Sequence, residues 1–512
     1  MQTNKNCAAF GCPLMLNRRS FLTAAGASAV ATRTGLLDFA SPLLAAGPRS
    51  VSSQRKYARG NKMLVKIQPT VFAGTLWGSP QKKYGRRRKQ LDPPEKMLAP
   101  FKAQLKNVEY LEPCVVNDDS EIGKMVRAAR KADMLLIMHA ELLSVKWAVK
   151  GIEMLNIPVV LCSPRPSRPG AVLTDLYGYL RIPARRGPKA RGHDVDLALD
   201  FSDVQAKVQA IRAKKRLANS RALVIGDGFP SWTQVANPTN PSDVKARFGV
   251  DIIQRSIDDL MARFGRADEQ TADLLAKEWM KNAKDVTDEA KRDIVGAAKV
   301  CLTIKNMVKE QNADLFTIDC RTWDELTMGK FGRFYGPCMT LSTLRFEGIP
   351  AACEADICAM LAMGILSYLS DLPAFMGNLG SVNLKESWVQ IGHASAAPNM
   401  DGTGTKMEGY TLTDYQNRGT GVASYCAVPK GLDITIARVD KDLKNISFAS
   451  GKSLATDRGF RIVIANVPDF MKRCLVGDHY AVVYGNHAEA LRQLARMMDM
   501  SVLEPFRESR LS

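Results

Sequence analysis

The chain has 512 residues, 46% hydrophobic and 24% charged, so it can bury sizeable cores and is not disordered as a whole. About 150 residues per domain suggests roughly three domains, and a mean hydropathy of −0.15 excludes a polytopic membrane protein. Lys and Arg number 71 against 52 Asp and Glu, a net charge of +19 that raises an anionic partner, while 11 cysteines are too sparse for a disulfide scaffold.

The chain opens on an address. Residues 15–35 read MLNRRSFLTAAGASAVATRTG, a basic pair followed by a short, small-residue apolar run. That run is too short for a membrane span, and Arg33 interrupts it. Arg18-Arg19-Ser20-Phe21-Leu22 resembles a twin-arginine export signal. Residues 1–47 are therefore expected to be a signal peptide and linker, with cleavage near Ala45–Ala46, the twin-arginine export machinery as a partner, and a periplasmic or exported destination. Folded export suits a protein loaded with a metal or cofactor beforehand. The nine cysteines beyond the leader have no CxxC spacing, and buried thiols are expected.

Much of the positive charge sits early, in KKYGRRRK (82–89) and RIPARRGPKAR (181–191). No nucleic-acid recognition module accompanies it, so solvated loops are expected and no nucleic-acid partner.

Ordered structure is expected from about residue 62. MLVKIQPTVF begins a strand, an amphipathic stretch covers 95–106, and VEYLEPCVV is strand-like. Residues 120–132 have helical periodicity with Ser120 as a candidate N-cap, and DMLLIMHA (133–140) and IPVVLCS (157–163) read as buried strands. Such runs alternating with helices predict a parallel sheet in an N-terminal α/β domain over 62–218. A second α/β domain over 219–375 opens on RALVIGDG, whose glycine loop lacks the third glycine of a dinucleotide fingerprint. Helices are expected over 256–312, strands at 314–320 and 349–356, and an apolar core helix over 357–369. From 376 to 505 the texture turns β-rich, with alternation in 432–440, 445–451 and 460–467, a strand at 479–485 and a closing helix at 487–500. The predicted fold class is α/β: two Rossmann-like domains followed by a barrel-like C-terminal domain.

Only five histidines occur, so their placement is informative. Glu354 and Asp356 fall at the C-terminal end of a predicted strand, the edge where open α/β sheets bind ligands, and i, i+2 spacing would point both to one face. Asp356 also suits the N-cap of the helix that follows. His393 lies in a loop-like segment and His479 opens the last strand. Carboxylates with imidazoles suit Mn²⁺ or another divalent ion. Trp77, Trp388 and Asn399 are weaker candidates for a cleft lining, His139 for a subunit contact, His487 for a cap and His193 for solvent.

The run GIPAACEADICAMLAMGILSYLSDLPAFMGNL, the His393 segment and the closing GDHYAVVYGNHAEALRQLARMM resemble the L-fucose isomerase and L-arabinose isomerase-like superfamily. The resemblance implies metal-dependent aldose–ketose isomerisation of a sugar through an enediol, Mn²⁺ as the usual ion, and a homo-oligomer. It implies Glu354 as the metal-binding acid that also moves the proton, and His479 and His393 as further ligands. Its second acid falls where this chain has Asn378, 24 residues after Glu354. An amide can offer a carbonyl oxygen to a metal but cannot act as a base. Either Asp356 or another group supplies the second acid, or the chemistry is altered. The alternative is a catalytically inactive carbohydrate-binding protein on the same fold.

Overall fold

The structure is a computed structural model and describes residues 63–73, 92–166, 171–181, 194–226, 237–238, 240–401 and 409–506. The expected export signal at 1–47, the basic stretch at 82–89, nearly all of 181–191, Trp77 and His193 lie outside the described residues.

The first sheet is parallel. It comprises β1 (Val65–Phe72), β2 (Val108–Tyr110), β3 (Cys114–Val116), β4 (Met134–Ala140), β5 (Val159–Leu161) and β6 (Val195–Leu197), in the order β2-β1-β4-β5-β6 with β3 also on β1. Its strands are near-continuous apolar runs because helices cover both faces. Asp118, not Ser120, caps the turn entering the helix Ile122–Ala129, accepting from the Ser120 amide.

The second sheet is also parallel, built from β7 (Arg221–Ile225), β8 (Asp251–Arg255), β10 (Leu315–Ile318) and β11 (Ala351–Ala352) in the order β11-β10-β7-β8. The short β9 (Asp285–Val286) lies apart, paired with a later strand. Helices at Ile257–Phe264, Glu269–Asn282 and Asp288–Glu310 occupy the predicted helical stretch. The strand expected over 349–356 shrinks to two residues.

The β-rich part holds β12 (Phe375–Asn383), β13 (Trp388–Gly392), β14 (Tyr410–Thr413), β15 (Ala423–Cys426), β16 (Asp433–Val439), β17 (Asn445–Leu454), β18 (Phe460–Ile464), β19 (His479–Tyr484) and β20 (Ser501–Leu503). Antiparallel pairing runs β16-β19-β12-β13-β18-β17 and returns to β16, closing a ring that removes free edges. β20 joins β17 in parallel, and β14 bridges β15 and β9. Thus the predicted combination of α/β sheets with a barrel-like end is present. Gly377 lets β12 approach β13, since a Cβ there would lie 2.8 Å from the Gly392 carbonyl, one residue before His393.

The helix Ile357–Ser370 joins these parts. It is apolar on every side, and each residue through Leu369 is buried. One core cluster unites it with Leu315 and Phe316 of the second sheet and Ala437, Val439, Ala481 and Val483 of the ring. Each large apolar side chain so buried contributes about 1.5–3 kcal/mol, which fixes both ends of the helix. Asp356 caps its start, and Asp371, in left-handed conformation, caps its end and receives Arg212 and Arg216. Among the described residues no helix is long and apolar enough to cross a membrane.

Candidate metal centre

Glu354 does not sit on a strand, which corrects the sequence expectation. β11 ends at Ala352, and Glu354 and Ala355 then adopt left-handed backbone, φ 60° and 51°. Such residues cost of order 1–3 kcal/mol each unless the surroundings hold them. Here they do: the Ala355 amide donates to the Ile318 carbonyl at 2.8 Å, and Asn237 brackets the turn. Its Nδ2 donates to the Ala355 carbonyl at 2.8 Å and its Oδ1 accepts from the Ile357 amide at 2.9 Å. The reversal abolishes the i, i+2 alternation, so Glu354 and Asp356 approach His479 at different ring nitrogens.

His479 opens β19, opposite Asn378 of β12, and Asn378 in turn faces Gly392, the last residue of β13. Directly opposed residues share a face, so the ring strands bring Asn378 beside His479 and carry His393 to the same end. One ligand atom each from Glu354, His393 and His479 lie within 4.8 Å of one another. Glu354 Oε1 is 3.5 Å from His393 Nε2, and Oε2 is 3.6 Å from His479 Nε2. The imidazoles are almost sealed, whereas the Glu354 side chain keeps 19% exposure and forms the open side of the cluster.

Behind His479 stands a buried relay. Its Nδ1 lies 2.9 Å from Asp356 Oδ2, the same oxygen receives Arg438 Nη1 at 2.9 Å, and Asp356 Oδ1 accepts from the Ala359 amide at 2.8 Å. Arg438 Nη1 also donates to the His479 carbonyl at 2.7 Å. A carboxylate at Nδ1 places the proton there and leaves Nε2 with its lone pair toward Glu354. That Nε2 is buried and has no hydrogen-bond partner, as is His393 Nδ1. An orphaned lone pair facing a carboxylate and a second imidazole is what a divalent cation fits.

Asp356, Asp478 and His479 form a second cluster of possible ligands. Arg438 already neutralises Asp356 there, and Asp478 is 63% exposed at the side chain, which suits support better than ligation. Asp356 is thus brought to the site as a support for His479, with both oxygens engaged, and not as a second acid beside Glu354.

Charge follows the same pattern. Burial works to raise Glu354, but the hydrogen bond from His393 and the two imidazoles outweigh it and hold the carboxyl below its ordinary value. Burial likewise opposes ionisation of Asp356, yet Arg438 and His479 hold it far down. Burial would lower His479, and the Asp356 carboxylate reverses this and raises it.

The remaining candidates scatter. Trp388 pairs with Asn383 at the far end of the β12–β13 hairpin and bonds Glu386, away from the cluster. Asn399 is buried with Oδ1 lacking a partner. His139 lies 3.3 Å from Glu141, and His487 stands at the start of the helix Ala488–Met497 with Nε2 on the Tyr484 carbonyl. Sequence reading missed Asn237 and Arg438. Arg438 did leave a signal, a lone charge at a buried position of an alternating strand.

No protein-family model matches the sequence. The chain is distantly similar to two curated proteins, the sulfoquinovose isomerases of Priestia aryabhattai and Priestia megaterium. Each is 23% identical over 402 residues, 72% of this chain and 85% of the relative. The similarity is to a sugar isomerase, and it spans most of both chains.

Proposed function

We propose that the protein is a divalent-metal-dependent aldose–ketose isomerase of the fucose and arabinose isomerase type, acting on a sugar that carries a free carbonyl. The observation that carries this reading is the convergence of Glu354, His393 and His479 around the unpartnered His479 Nε2. The distant similarity to sulfoquinovose isomerases supports the reaction class and makes sulfoquinovose one substrate to test.

Glu354, His393 and His479 would hold the ion, with the Asn378 carbonyl oxygen beside them. The ion supplies Lewis-acid polarisation of the sugar carbonyl and adjacent hydroxyl. The protein does the rest. Glu354 is ionised and on the open side, so it takes the proton from the carbon beside the carbonyl and returns it to the neighbouring carbon. Asp356 and Arg438 keep His479 in one tautomer. Asn378 cannot carry a proton, so Glu354 is the base of the cluster. Mn²⁺ is the ion expected, and homo-oligomeric assembly and export through the twin-arginine route are part of the same proposal.

The test is isomerisation of an aldose panel, sulfoquinovose included, by protein loaded with Mn²⁺, beside Glu354→Gln. The proposal expects turnover of at least one sugar and its loss in the variant. Asn378 favours a second reading, a sugar-binding protein without chemistry. Saturable sugar binding with no turnover of any sugar would select it.

A further inference from the structure

Outside the metal cluster, one pair of reactive groups stands out. Cys320 Sγ and Cys353 Sγ lie 3.1 Å apart, and neither is in a disulfide. Cys320 follows β10 and starts the helix Cys320–Phe331, while Cys353 follows β11. The two strands are parallel neighbours, Phe316 beside Ala351 and Thr317 beside Ala352, so adjacent strand ends present the two thiols to each other. Cys353 is also the residue before Glu354, and its carbonyl accepts from the Asp356 amide at 3.1 Å.

We propose that Cys320 and Cys353 form a thiol–disulfide modification site whose oxidation displaces Glu354 and weakens the metal centre. The two sulfurs are unlike in access. Cys320 is partly exposed and Cys353 is 3% exposed. An incoming disulfide therefore meets Cys320 first. The Cys320 sulfur attacks it, forming a mixed disulfide and releasing one thiol that carries away a proton. Cys353 then attacks the Cys320 sulfur, closing the protein disulfide and releasing the second thiol with the second proton. Two protein thiols are oxidised and one disulfide of the oxidant is reduced, so atoms and electrons balance.

Closure requires the sulfurs to come from contact to a bond of about 2.05 Å. The movement falls on a residue joined directly to the left-handed pair Glu354–Ala355. That turn is held at four points by hydrogen bonds to Ile318, Asn237 (two) and Cys353 itself, so it cannot absorb the pull without shifting the Glu354 carboxylate. A third buried thiol, Cys338, lies nearby, but no three cysteine sulfurs gather within ligand distance among the described residues. The pair is a redox site and not a thiolate metal site.

The effect on the metal centre rests on the proposed function; formation of the disulfide does not. The experiment incubates the full chain with oxidised glutathione, maps the linked peptides by mass spectrometry and measures Mn²⁺ binding before and after, with Cys320→Ser and Cys338→Ala alongside. The expected result is a Cys320–Cys353 link with loss of two hydrogens, at least tenfold weaker Mn²⁺ binding, and recovery with dithiothreitol. Cys338→Ala should behave as wild type, and Cys320→Ser should form no link and keep its Mn²⁺ binding. No link, or a link through Cys338, overturns the site. A Cys320–Cys353 link with unchanged Mn²⁺ binding overturns its coupling to Glu354. If reduced protein binds no Mn²⁺ at all, the isomerase reading fails while the mapped link still decides the thiol site.

Discussion

Asp356→Asn separates the support of His479 from the ligands themselves. The carboxylate lies at 0% exposure and accepts from Arg438 and His479 through one oxygen and from the Ala359 amide through the other. An amide matches the shape and is a good helix cap, but offers only one acceptor oxygen. If that oxygen stays on the cap, the amide nitrogen meets the Arg438 guanidinium as donor against donor. His479 can then satisfy it only by accepting at Nδ1, which moves its proton to Nε2. Arg438 is left as a buried charge without its carboxylate, a loss worth about 3–5 kcal/mol of folding stability. The misplaced proton blocks the lone pair toward Glu354, and loss of such a support typically costs about 10–100-fold in metal affinity. The assay is calorimetric Mn²⁺ titration alongside guanidinium unfolding of the metal-free protein. Affinity within twofold of wild type, at pH 7 and with a folded variant, would refute the assignment of the Nε2 lone pair.

Three further outcomes are expected. Asn378→Asp places a carboxylate directly opposite His479 in the β12–β19 register, so Mn²⁺ should bind at least several-fold tighter, checked by the same titration. Asn237→Ala removes two buried hydrogen bonds that hold the Glu354 turn; a loss of about 2–3 kcal/mol in denaturant unfolding should accompany weaker Mn²⁺ binding. Because Asp356 raises His479 above its ordinary value, the stabilisation from this pair in metal-free protein is fully present below about pH 6.5. It is lost as pH rises through the raised value, so unfolding midpoints of metal-free wild type should fall from pH 6 to pH 9 more than those of His479→Gln.

Much of the architecture was legible because it rests on period and length. Short apolar runs such as DMLLIMHA, each followed by a helical stretch, could bury both faces only in a parallel sheet. The alternation in LDITIARVD and FRIVIANV marked the ring. The strands β12 and β13 were harder to see, because Gly377, Gly380 and Gly392 dilute their alternation, and at Gly377 the backbones approach closely. The turn at Glu354 could not be read at all. Local pattern extends the strand through IPAACEAD, and tertiary partners far along the chain, Ile318 and Asn237, help to hold two non-glycine residues left-handed.

The same limit explains the miscounted charge. In sequence, Glu354 and Asp356 are two acids two residues apart, and together they look able to replace the missing partner at position 378. In space, Arg438 cancels Asp356 at 2.9 Å inside a sealed pocket, and the pair contributes no net charge to the cluster. Glu354 is then the one carboxylate among the three clustered ligands, beside the two imidazoles. A divalent ion there would retain a net positive charge, and that excess strengthens its pull on a sugar's oxygens while leaving one group to carry the proton both ways. A single base can do this only if the proton leaves and returns on one face of the sugar. Any transfer of the substrate's own proton to product during turnover in deuterated water would therefore support one base, and deuterium delivered to the opposite face of the enediol would argue for a second base supplied from elsewhere.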